Sequence, residues 1–142
     1  MNASAKHRFT GNEKSMEEFQ LNTAAWKEEL LQITEEAQFF RHFLAADIFE
    51  VSNPEAFQQL LLYSDRLESL REDCQELNTL VQNHRYDIDG MLECDDVGCE
   101  AFYFQEHEKL RLQLQAFYKL FQQLRSEVCK YTMPLLRQHP ET

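Results

Sequence analysis

The sequence predicts an all-α protein, an antiparallel three-helix bundle whose long, heptad-patterned helices are joined by short connections. Three observations predict it. Gly 3 and Pro 3 in 142 residues are too few for a turn-rich β fold. Leu, Glu, Gln, Ala and Phe, most of them good helix formers, dominate the composition. Apolar residues recur at alternating spacings of three and four in three separate stretches. A chain of this length can bury a core without staples, and 27% charged with 43% hydrophobic residues suits a folded domain.

The first helix is expected to start at a capping box, Ser15-Met16-Glu17-Glu18, with Ser15 as N-cap. Its stripe runs through Phe19, Trp26, Leu30, Ile33, Ala37, Phe40 and Leu44. Ser52-Asn53-Pro54 then stops it and starts the second helix, with Asn53 as N-cap and Pro54 as first helical residue. That helix carries Leu60, Tyr63, Leu67, Leu70, Cys74, Leu77, Val81, His84 and Ile88. It is expected to end near Gly90, in the left-handed conformation glycine favours after a helix. A short acidic connector offers Asp95 or Asp96 as the next N-cap. The third stripe follows through Tyr103, His107, Leu110, Leu114, Phe117, Phe121, Leu124, Val128 and Tyr131, until Pro134 ends or kinks the helix. These limits define a flexible tail over 1–14, a single bundle domain over 15–136 and a C-terminal tail over 137–142.

Short connections make consecutive helices antiparallel neighbours. Counting outward from both turns places the stripes in common layers, among them Trp26/Val81/Leu110, Ile33/Cys74/Phe117 and Ala37/Leu70/Phe121. Small residues meet large ones, as a close-packed core requires. Leu31, Phe39, Phe43, Phe49, Leu61, Leu62, Phe104, Tyr118 and Leu120 spill beyond the stripes. They widen the buried face or mark a contact surface, and the second reading predicts a homodimer or another protein partner.

The net charge of −11 disfavours nucleic acid, because phosphate recognition needs clustered cations. The charge is uneven. Residues 16–52 carry eight carboxylates against two cations, 53–90 eight against three, and 101–142 six cations against four carboxylates. A mildly basic third helix beside two acidic ones can satisfy itself within the molecule. No apolar run is long enough for a bilayer, and Met1–Phe9 lacks the apolar segment of a secretory leader. A cytoplasmic protein with reduced cysteines is therefore expected.

His84 and His107 both fall on stripe positions and share a layer with Thr23. Two imidazoles at one level suit a metal or a protonation switch; a register-fixing polar layer is the plainer reading. Asp87, one turn from His84, is the third candidate metal ligand, and the sequence shows no fourth. The Glu-x-x-His and His-Glu-x-x-His patterns of di-iron and zinc sites are absent. Cys94 and Cys99, within Glu93-Cys94-Asp95-Asp96-Val97-Gly98-Cys99-Glu100, read as a loop disulfide, a soft-metal site or simply part of a solvated acidic loop. Glu17/Glu18, Glu28/Glu29 and Glu35/Glu36 read as a solvated face.

Trp26-Lys27-Glu28-Glu29-Leu30, Phe57-Gln58-Gln59-Leu60 and His84-Arg85-Tyr86-Asp87-Ile88 resemble segments of small uncharacterised bacterial coiled-coil and helical-bundle proteins, a likeness over about two thirds of the chain. The resemblance implies a helical bundle and transfers no functional residue. The expected function is a non-catalytic interaction or scaffold protein that self-associates and needs no cofactor. The alternative is a metal-binding bundle enzyme or sensor built on His84, His107 and Asp87.

Overall fold

The computed structural model describes the backbone of residues 3–138 and the side chains of residues 13–138. It is all-α, with three long helices: α1 (Ala3–Ala45), α2 (Pro54–Ile88) and α3 (Val97–Thr132). Short 3-10 helices follow α2 at Asp89–Glu93 and α3 at Met133–Leu135. The described residues form two compact units. Within the described residues the first comprises 3–31 and 75–116, and the second comprises 32–74 and 117–138.

Most predicted boundaries have a local cause. The Ala56 amide donates to Asn53 Oδ1 at 2.7 Å and Pro54 opens α2. The Cys99 amide donates to Asp96 Oδ1 at 2.7 Å at the start of α3. Pro134 falls in the 3-10 turn that succeeds α3. Two boundaries differ. Ser15 lies well inside α1, which already begins at Ala3, within the segment expected to be a tail. A serine inside a helix costs only a fraction of a kcal/mol, so a capping-box sequence permits a start without imposing one. Gly90 is not left-handed; it belongs to the 3-10 helix, and no described glycine has a positive φ. Residues 139–142 of the expected C-terminal tail lie outside the described residues.

In the first unit Leu30, Val81, Ile88, Met91 and Leu114 are almost fully buried. Gln20 donates to Asp89 at 3.1 Å, joining α1 to the 3-10 helix after α2, and Lys27 donates to Gln82, joining α1 to α2. Phe19, Ile88 and Met91 form a cluster against which Met16 and Tyr103 pack. A Cβ on Gly90 would collide with the Tyr103 hydroxyl, which explains a glycine here without any appeal to backbone conformation.

In the second unit Leu67 and Val128 are almost fully buried, and Ala37 faces no solvent at all. Burying each large aliphatic side chain contributes about 1.5–3 kcal/mol. Ion pairs join every pair of helices: Arg41–Glu68 at 2.6 Å, Arg66–Glu127 at 2.8 Å and Arg125–Glu36 at 3.2 Å. All are partly exposed, so each is worth no more than about 1 kcal/mol. The α1–α2 connection is held from the far end of the chain. Phe49 and Leu136 form an isolated antiparallel bridge; the Glu50 amide donates to the Leu135 carbonyl and the Arg137 amide to that of Ile48. Phe40 and Leu77, expected in the core, are half-buried, whereas Phe49 is buried rather than flanking.

Gly90→Ala is expected to destabilise the protein by about 1–3 kcal/mol through overpacking. Adding Tyr103→Phe, which removes the obstructing oxygen, should recover most of that loss in urea unfolding.

Candidate functional site: a buried histidine pair

Helix periodicity brings His84 of α2 and His107 of α3 into the core of the first unit, where they are 7% and 5% exposed. His84 Nε2 and His107 Nδ1 are 2.8 Å apart, and Asn22 Nδ2 of α1 lies 3.1 Å from His107 Nε2. With the Asn22 amide as donor, His107 Nε2 accepts. His107 then carries its proton on Nδ1 and donates it to His84 Nε2, and His84 keeps its own proton on Nδ1. Three helices thus contribute one hydrogen-bonded chain.

Two aromatic side chains of α1 stack on the His107 ring. Phe19 stacks on it with centroids 3.7 Å apart and planes 6° from parallel, and Trp26 stacks at 4.7 Å and 29°. Thr23, expected in the same layer, is fully buried and satisfies its hydroxyl on the Gln20 carbonyl at 3.0 Å.

These surroundings keep the imidazoles neutral. Burial pushes the His84 pKa down, opposed by the nearby charges of Asp87 and Glu106. Burial pushes His107 down to about 4, helped by His84 and Arg111 and opposed by Glu108. Glu108, exposed and bonded to Arg111, is held below the usual carboxylate range. The site therefore changes charge in mild acid and stays uncharged at neutral pH.

Asp87, the third candidate ligand, is exposed and acts on His84 through its charge. Among the described residues no group of three or more His, Cys, Asp or Glu side chains is arranged to hold a metal ion. The sequence brought His84 and His107 together correctly but missed Asn22, which carries no mark of its role because it lies beside the apolar stripe.

Cys94 and Cys99 form a disulfide, with Cα atoms 5.5 Å apart, in place of four reduced cysteines. Cys94 is buried and its amide closes the 3-10 turn on the Met91 carbonyl. The bond ties this turn to the start of α3. A cytoplasmic setting would tend to keep the pair reduced, so the compartment decides whether the clip is closed. Cys74 is buried and Cys129 half-buried, and neither is part of a disulfide.

No protein-family model, curated protein or solved structure matches the chain. Among the described residues no helix is long and apolar enough to cross a membrane.

Because the folded imidazoles resist protonation, the unfolded chain binds more protons as pH drops below 6.5. The stability they contribute is fully present above pH 6.5 and is lost as pH falls towards about 4, by at most roughly 3 kcal/mol from His107. Urea unfolding at pH 7.5 and pH 4.5 checks this. The loss between the two should be clearly smaller in His107→Gln than in the unaltered chain.

Proposed function

We propose that this chain is a non-catalytic helical-bundle interaction protein whose first partner is a second copy of itself. The reading takes the helices of each unit as heptad-patterned, with α2 antiparallel to α1 and to α3. The contacts that support it are ordered. From Gln20–Asp89 to Lys27–Gln82 in the first unit, and from Thr34–Cys74 to Arg41–Glu68 in the second, the partner on α2 or in the turn just after it descends as the α1 position rises. Tyr63 against Tyr131 and Arg66 against Glu127 give α2 and α3 the same opposed order in the second unit.

The observation that carries the function is an aromatic ladder in the second unit. Phe49 is buried, Phe43 lies against it at 5.2 Å and 87°, and Phe39 follows Phe43 at 6.2 Å while remaining 62% exposed. Phe40 completes the group at 5.6 Å from Phe39. A phenyl ring left in water beside two half-buried ones forgoes stabilisation that a partner surface would supply. Phe57, Leu61 and Leu62 on α2 and Leu120 on α3 are exposed as well. The mildly basic α3 and acidic α1 and α2 supply opposite charges for a polar rim.

Light scattering on a sizing column at micromolar concentration is expected to give the mass of a dimer. Phe39→Glu, which alters an exposed residue, should yield a folded monomer by circular dichroism and light scattering. A monomeric mass for the unaltered chain at tens of micromolar would sink the self-association reading.

A further inference from the structure

The His84 side of the pair opens onto a cavity of about 260 Å³ between α2 and α3, independent of the aromatic ladder of the second unit. His84, Asp87, Phe102, Tyr103, Glu106 and Lys109 set its chemistry. His84 is nine-tenths buried, and hydrogen bonding to His107 engages its Nε2. Its Nδ1 has no hydrogen-bond partner among the described residues. That nitrogen is not shut away from solvent, so a ligand atom in the cavity can reach it.

The lining indicates which ligand. Asp87 and Glu106 both lie close enough to His84 to act on it through their charge, so the cavity has two carboxylates at its wall. Among the described residues Lys109 is the only cation lining it, against the two carboxylates, so the described lining carries net negative charge. Phe102, 56% exposed, and Tyr103 stand against each other edge to face, with centroids 5.5 Å apart. Aromatic faces beside carboxylates favour an organic cation over a hydrated metal ion. The cavity falls just under the ~300 Å³ at which sites for drug-sized molecules begin, so the ligand is small. In the neutral chain running from Asn22, His84 presents Nδ1–H, a donor that asks for an oxygen.

We propose that this cavity binds a small ammonium compound carrying a neighbouring oxygen acceptor, its cation against Asp87 and Glu106 and its oxygen on His84 Nδ1–H. Trp26, the only tryptophan in the chain, stacks on His107 and so sits one ring from the site as an internal reporter.

The test is a titration of the unaltered protein at pH 7.5, read by Trp26 fluorescence and by the histidine ring signals in NMR. The probes are ethanolamine, propylammonium, which has the cation without the oxygen, and propionate, which has the oxygens without the cation. Ethanolamine is expected to saturate and shift the His84 signals, propylammonium to bind several-fold more weakly, and propionate to leave the signals unmoved. Asp87→Asn with Glu106→Gln, both at exposed positions, should weaken ethanolamine at least tenfold, and Lys109→Ala should tighten it. Equal or tighter binding of propionate, no saturation by either amine, or an affinity indifferent to the loss of both carboxylates would each overturn the proposal. None of these readouts depends on the oligomeric state, so dimerisation and the ligand site stand or fall separately.

Discussion

A helix that buries one side of itself must satisfy every polar group that falls on that side, and this constraint governs the three long helices of the chain. Thr23, His84, His107 and Thr132 are the buried polar or charged side chains among the described residues. The threonines turn back onto their own helix, Thr132 Oγ1 donating to the Val128 carbonyl at 2.7 Å. The histidines lack that local solution and need each other and Asn22. An unpaired buried group costs about 1–3 kcal/mol, so α1, α2 and α3 are held at one relative height wherever this chain of hydrogen bonds is intact. Apolar layers tolerate a slip more readily than such a network does.

Contacts spread from the histidines towards the α2–α3 connection. Phe19 stacks on His107 and also packs with Ile88 and Met91, while Met91 accepts the amide hydrogen of Cys94, one half of the disulfide. Phe104 meets the same Phe19 ring edge to face at 5.1 Å. The first unit thus links the histidine pair and the disulfide through a few apolar residues.

How far all this could be read from the chain follows from the range of the forces involved. Asn53 and Asp96 cap their helices through bonds spanning three residues, and such local chemistry is visible in sequence. The meeting of His84 and His107 was also legible, because both sit on the apolar stripe and the turn between their helices is short. Legibility failed where a remote group decides. Gly90 looks like a helix terminator, yet its place is set by the Tyr103 hydroxyl. Ser15 has the local chemistry of a helix start, but the residues before it tolerate helix and nothing forces a boundary. The Cys94–Cys99 bond, given only as one of three readings, needed the 3-10 turn to bring the sulfurs together. The open nitrogen and aromatic wall of the cavity emerge only once α2 and α3 are side by side.

The bridge between Phe49 and Leu136 has a practical bearing on how the protein is handled. Leu135, Leu136 and Arg137 supply backbone partners to residues 48–50, and Arg137 adds ion pairs to Asp47 at 3.1 Å and Glu50 at 3.7 Å. A stop codon placed after α3 would look harmless on a helix map. It would nonetheless remove the backbone partners of residues 48–50 beside the buried Phe49, so that shortened versions lose the clasp on the α1–α2 connection.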